Sequence, residues 1–238
     1  MAQHGNIFNV KRTTNLGISP ERINLAVDVL PPSLSSSIVQ KWSNKNIKYN
    51  NSNTKKNIKL PNTLFQNYES IKSVIPQVKE ILSQKEFSKD AYKKYNTIIV
   101  SSETAFMHVR RGDYKLEHML SIDFYTKGFE QLEKSSTIKK IYVFSNGIDW
   151  CKQHDAVWKK HTTKQIVYDE TKDELEVLYM MSLCTAGAII SNSTFSSWGA
   201  MLGADMNPNS IIVYSLKYPN YSDNKLNPCD FPSRWIGI

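Results

Sequence analysis

The stretch "TAFMHVRRGDY", residues 104–114, decides how the second half of this 238-residue chain is interpreted. Apolar side chains dominate as far as Val109, and two arginines, a glycine and an aspartate follow at once. A short apolar run that ends in charged residues is typical of a buried strand that reaches the edge of a sheet. Because successive side chains of a strand alternate, His108 and Arg110 share one face. The strand therefore delivers Arg110 to its carboxyl end.

Similar runs recur after this one, and helix-like segments separate them. Counting residues 104–110, the predicted strands are 104–110, 140–146, 164–169, 186–192 and 210–215. Residues 121–136 and 172–184 carry apolar side chains three or four apart, which predicts amphipathic helices between strands. Such alternation indicates an α/β fold with a parallel sheet, whose ligands bind beyond the carboxyl ends of the strands.

The first hundred residues follow a different pattern. Residues 70–87 predict one amphipathic helix, with Pro76 near its first turn, and the Lys/Asn-rich stretch 41–62 predicts an exposed loop. We therefore predict two domains, a small N-terminal lobe over residues 1–96 and a sheet domain over residues 97–238.

The composition narrows the class of protein. The mean hydropathy is −0.43, and neither an apolar run long enough for a membrane span nor a signal-peptide core occurs. The net charge of +8 comes from the first hundred residues, where 15 Lys/Arg face 6 Asp/Glu, but these lysines alternate with asparagines and match no nucleic-acid motif. Three widely spaced cysteines indicate free thiols. We expect a cytoplasmic protein that binds neither nucleic acid nor membrane.

A second polar motif, "IISNSTFSSWGAMLGAD", covers residues 189–205. A strand ends near Asn192, and Ser193 and Thr194 occupy the start of the next helix. Hydroxyls and unpaired amides at a helix N-terminus bind anions, so this motif and Arg110 together predict a pyrophosphate site. The alternatives are ordinary helix capping at Ser193 and an Arg111–Asp113 ion pair that only braces its turn.

"HVRRGDY" and, some eighty residues later, "LYMMSLCTAGAIISNSTFSSWGA" resemble the α-1,2-fucosyltransferases of glycosyltransferase family 11. That family is marked by HxRRxDY and by an SNSTFSWWGA-like motif that follows a helix ending in MSxC. The likeness covers roughly residues 64–238. It implies a GT-B-like fold, in which a Rossmann-type nucleotide-sugar-binding domain follows an N-terminal acceptor lobe that is reduced here. It also implies inverting transfer of L-fucose from GDP-β-L-fucose to a glycan acceptor, with an α-1,2 linkage and without a metal.

The resemblance also assigns roles to residues. Arg110 would bind the β-phosphate of GDP with support from Arg111, and Ser193, Thr194 and Phe195 would hold the diphosphate.

His108 and Asp113 are the candidates for the group that deprotonates or orients the acceptor hydroxyl, although His108 could be a packed residue and Asp113 a brace for an arginine. Two positions depart from the family. Val177 stands where an acidic residue is usual, which leaves the adjacent Glu176 as the candidate for base recognition, and Ser197 replaces a tryptophan.

Two other functions remain open at this stage. The altered pocket positions suit a transferase of the same fold that uses another sugar nucleotide. The abbreviated N-terminal region suits a nucleotide- or glycan-binding module without turnover. Residues 169–176, "DETKDELE", contain no D-x-D metal motif and predict a helix start with acidic residues in its first turn.

Overall fold

The computed structural model describes Tyr68 and residues 72–84, 102–216 and 231–238. All of them belong to one compact unit, Leu64–Ile238. The predicted lobe over residues 1–96, apart from the helix described below, lies outside the described residues, as do the loop 41–62 and the boundary at residue 96. Those calls stay predictions.

Six strands form one parallel sheet in this part of the chain. They are β1 (Thr104–Val109), β2 (Lys140–Ser145), β3 (Gln165–Asp169), β4 (Gly187–Ile189), β5 (Ile211–Tyr214) and β6 (Ile236–Gly237). Their order is β3-β2-β1-β4-β5-β6, the doubly wound order of Rossmann-type domains. The predicted α/β, GT-B-like fold class is confirmed for this domain.

Helices flank the sheet, and their ends follow from local capping. They are α1 (Ile75–Gln84), α2 (Ile122–Glu133), α3 (Ile148–Gln153), α4 (Asp155–Trp158), α5 (Glu174–Leu183) and α6 (Thr194–Met206). Ser121 accepts a hydrogen bond from the Phe124 amide at the start of α2, and Asp173 caps α5. In α1, which follows a 3-10 turn at Lys72–Val74, Pro76 lies in the first turn as predicted, where a missing N–H costs little.

Aromatic side chains fill the core where α2, α3 and α4 meet. Trp158 is completely buried, and its ring lies 5.6 Å from that of Phe129 and 6.2 Å from that of Tyr125, measured between centroids. Trp150 joins the group at 5.9 Å from Trp158. Such tilted and edge-on pairs add to the free energy gained from burying large apolar surfaces. This aromatic cluster (Tyr125, Phe129, Trp150 and Trp158) lies beside the connection that follows β1.

The prediction that α5 exposes one face was wrong. Seven of its ten residues are buried, because α1 and α6 both pack against it. Close approach to α6 depends on Gly199, where an added Cβ would lie 2.7 Å from Cβ of Met181. In the described ranges, no helix combines the length and apolar character needed to cross a membrane.

Candidate active site

Two connections meet where the strand order reverses, between β1 and β4. Arg110 follows β1, and Ser193 and Thr194 follow β4. The Tyr114 hydroxyl donates to the backbone oxygen of Asn192 over 3.1 Å, which ties the first connection to the second. Open parallel sheets bind ligands at this switch point, beyond the carboxyl ends of the strands. The structure therefore brings both sequence-predicted phosphate motifs to the expected place.

Arg110 is mostly buried and only partly paired. Its Nη2 donates to Oδ2 of Asp113 over 2.7 Å, and its side chain is 19% exposed. Its Nε is buried and has no hydrogen-bond partner within the described part of the chain. A buried donor without a partner is costly, and an anion brought to it would satisfy it. The alternative of an Arg111–Asp113 ion pair is wrong, since Arg110 makes that pair.

Arg111 points away from Asp113 and toward the aromatic cluster. Its Cζ lies 3.6 Å from the ring centroid of Trp150, a cation–π contact. Its Nη1 donates to the backbone oxygen of Leu120 over 3.4 Å. The guanidinium thus anchors the turn to the core, and its predicted support of a diphosphate stays a prediction.

Asn146 is a residue of this site that the sequence reading treated only as the end of a strand. Its Oδ1 accepts hydrogen bonds from the amides of Arg111, at 2.8 Å, and Gly112, at 3.1 Å. Its Nδ2 donates to Oδ1 of Asp113 over 2.9 Å. The available signal was an Asn-Gly pair directly after a strand, which marks a turn. Asn146 therefore organises the whole "RRGD" turn from the neighbouring strand.

The start of α6 forms the other half of the site. Ser193 is its N-cap, but the Ser193 side chain makes no capping hydrogen bond, so ordinary side-chain capping is not its role. Instead the Ser193 carbonyl accepts from the hydroxyls of Ser196, at 3.0 Å, and Ser197, at 3.1 Å. Thr194 and Phe195 are buried beside it. The first amides of a helix have no intrahelical partner, and they favour an anion here.

His108 connects the two halves below the surface. Its Nδ1 lies 2.8 Å from the Ser191 hydroxyl, and its ring centroid lies 5.5 Å from that of Phe195. Burial, and then the charge of Arg110, lower the pKa of His108 to about 3. A neutral, enclosed imidazole favours the packed alternative, and its candidate role as a base stays a prediction.

We expect His108 to make folding stability depend on pH. Its pKa falls from 6.5 in the unfolded chain to about 3 in the folded protein, so between these values the unfolded state binds the extra proton. Stability is therefore lost as the pH falls below 6.5, by roughly 2 kcal/mol at pH 5. Urea unfolding at pH 7 and pH 5 should show this loss in the parent protein and not in His108→Gln. Equal losses in both proteins would contradict the assignment.

Asp113 is the second candidate base. Partial burial alone would raise its pKa, but the hydrogen bond and the charge of Arg110 hold the pKa below its usual value. Its carboxylate is thus a weak base whose two oxygens are already bonded, one to Arg110 and the other to Asn146. This geometry favours the alternative in which Asp113 braces an arginine.

Glu176 lies in the first turn of α5, which follows the carboxyl end of β3 and so begins at the same edge of the sheet. Its amide donates to Oδ1 of Asp173 over 3.0 Å. The neighbouring Val177 is buried. Recognition of the base by Glu176 stays a prediction. Across the residues that the structure describes, no three His, Cys, Asp or Glu side chains cluster as metal ligands would.

The chain belongs to glycosyl transferase family 11, whose sequence pattern matches residues 20–238. The match begins nearer the amino end than the likeness from residue 64 predicted above. An alpha-1,2-colitosyltransferase of Escherichia coli is 25% identical over 170 residues, which are 68% of this chain and 56% of that protein. The O-antigen biosynthesis glycosyltransferase WbnK of Escherichia coli is 32% identical over 120 residues, 47% of this chain and 37% of that protein.

The chain thus spans 56% or less of these two relatives. Among solved structures, POFUT1 in complex with GDP-fucose is similar over 53% of this chain and 45% of that one. Its TM-score is 0.37 and its identity 14%.

Proposed function

We propose that this chain is an inverting glycosyltransferase that moves L-fucose from GDP-β-L-fucose to a hydroxyl of a glycan, with formation of an α-1,2 linkage. The observation that carries the proposal is the buried Nε of Arg110, a hydrogen-bond donor left without a described partner at the switch point of a Rossmann-type sheet. Membership of glycosyl transferase family 11 supports the reaction class.

The proposed step needs charge stabilisation more than covalent chemistry from the protein. The acceptor oxygen bonds to the anomeric carbon while the bond from that carbon to the β-phosphate oxygen breaks, and its electron pair leaves with GDP. Negative charge therefore grows on the diphosphate. Arg110 and the first amides of α6 are fixed donors that would stabilise this charge without reorganising. In this proposal they supply what a metal ion supplies in metal-dependent transferases.

The binding of the diphosphate is divided between two kinds of donor. Arg110 offers a planar, permanently charged fork, which is suited to a phosphate. The start of α6 offers backbone amides and the positive end of a helix dipole. Because Ser193 spends its carbonyl, and not its hydroxyl, on the first turn of α6, that hydroxyl is also suited to a phosphate oxygen.

A second candidate donor is GDP-colitose. Colitose is 3,6-dideoxy-L-galactose, which is L-fucose without its 3-hydroxyl group. The similar protein that covers 68% of this chain is a colitosyltransferase. Val177 and Ser197 also replace larger polar or aromatic side chains expected of a fucosyltransferase, and both are buried. A pocket with fewer polar groups near the sugar would favour the deoxy sugar.

A donor comparison tests the proposal. Transfer to a panel of galactose-terminated oligosaccharides would be followed by mass spectrometry with GDP-fucose, GDP-colitose, GDP-mannose and UDP-galactose in parallel. We expect transfer from GDP-fucose. Transfer from GDP-colitose alone would replace fucose by colitose and keep the rest of the proposal. Transfer from GDP-mannose or UDP-galactose alone would overturn the donor, and GDP binding without transfer to any acceptor would favour a binding module.

A further inference from the structure

We propose that Asn146 is a positioning residue for the phosphate-binding arginine: it holds Asp113, and Asp113 holds the guanidinium of Arg110. The inference rests on the proposed function, because that function makes Arg110 the ligand of the diphosphate. It adds a residue from β2, the strand next to β1, to a site otherwise built from the ends of β1 and β4.

The backbone ladder between β1 and β2 ends one residue before Asn146. The last pair is Val109 opposite Ser145, and beyond it the "RRGD" turn leaves the sheet. Oδ1 of Asn146 accepts the amides of Arg111 and Gly112, as a backbone carbonyl would in a longer ladder. The side chain therefore extends the sheet by one step and fixes the backbone that carries Arg110.

The amide nitrogen of the same side chain fixes the carboxylate. Oδ1 of Asp113 accepts from Nδ2 of Asn146 over 2.9 Å, while Oδ2 accepts from Arg110 over 2.7 Å. The Asp113 side chain is 57% exposed, and an exposed ion pair alone holds two side chains in place weakly. With one oxygen held by Asn146, the carboxylate cannot rotate freely, and the guanidinium keeps one orientation.

The turn accepts Asn146 at this distance because two glycines leave room. An added Cβ at Gly112 would lie 3.1 Å from the backbone oxygen of Asn146, and one at Gly147 would lie 2.9 Å from Cβ of Arg111. Both contacts are tighter than ordinary van der Waals packing. The close approach of the two connections is therefore built into the sequence around Asn146.

A double-mutant cycle on GDP affinity tests the inference. Asn146→Ala should weaken GDP binding about tenfold, measured by titration calorimetry, because Arg110 loses its fixed orientation. In the Arg110→Ala background, the same change should weaken binding by less than about twofold, since Asn146 acts through Arg110.

Asn207→Ala is the matched control. Asn207 also braces a turn, with Nδ2 donating to the Thr185 carbonyl and Oδ1 accepting from the Asn209 amide. It follows the carboxyl end of α6, away from Ser193 at the other end of that helix. This variant should lose thermal stability comparably to Asn146→Ala but keep the parent affinity for GDP.

Three outcomes would overturn the inference, and they are distinguishable. If Asn146→Ala only lowers the melting temperature and keeps the parent affinity, Asn146 is merely structural. If its effect on affinity is the same in both backgrounds, it does not act through Arg110. In both cases the proposed function survives. If Arg110→Ala itself leaves GDP affinity unchanged, the phosphate assignment and the inference fail together.

Discussion

Arg110→Ala is expected to remove at least ~3 kcal/mol of transition-state stabilisation, a loss of about 10²-fold or more in kcat/KM, while the fold survives. The reason is that a buried guanidinium loses no packing partner as important as the charge that it directs at the leaving diphosphate. Steady-state kinetics with the donor identified above, together with thermal unfolding, would measure both quantities. Arg234→Ala is the matched control, because Arg234 is exposed and donates only to the Pro208 carbonyl.

Arg110→Lys should recover little of the lost activity. An ammonium supplies the positive charge but not the planar fork that bonds Asp113 and a phosphate together. If Arg110→Ala lowers the melting temperature and leaves kcat and KM of the folded protein unchanged, Arg110 only braces its turn, and the assignment is wrong.

Trp158→Ala is expected to lower the free energy of unfolding by about 3–5 kcal/mol. Trp158 is fully buried and contacts the rings of Tyr125, Phe129 and Trp150, so its removal leaves a large cavity in the core beneath α2 and α4. A domain of this size is stable by only roughly 5–15 kcal/mol, so this single change consumes much of that margin. Urea unfolding followed by circular dichroism would measure it.

The adjacent Val157 provides the control for that experiment. Its side chain is 38% exposed on the same helix, so Val157→Ala should change the free energy of unfolding by less than about 0.5 kcal/mol. Similar losses in both variants would mean that α4 contributes through its helix propensity and not through the aromatic cluster.

The strands could be predicted because each is a short apolar run that ends in polar residues. The five predicted strands are present, with ends that differ by one to three residues. β6 was missed because two residues, Ile236–Gly237, are too few to show a period. α3 and α4 were missed for a similar reason, since six and four residues give no clear apolar repeat. The burial of α5 depends on α1, far away in the sequence.

The positions of the site residues followed from strand ends, but their pairing did not. Parallel strands bring Arg110 and Ser193 to one edge, and this is a property of the pattern alone. Whether Arg110 or Arg111 pairs with Asp113 depends on the direction of a turn, and Asn146 and Trp150 set that direction from the next strand and helix. These contacts join residues more than thirty positions apart, which no local motif records.

The central claim is that Arg110 and the start of α6 form a site for a guanosine diphosphate. Titration calorimetry of the chain with GDP, GDP-fucose and UDP, in a buffer with a metal chelator, tests it most directly. We expect saturable binding of GDP and GDP-fucose at one site, at least about tenfold tighter than UDP, and loss of that binding in Arg110→Ala. Absence of GDP binding, or equal binding of GDP by the parent and Arg110→Ala, would contradict the claim.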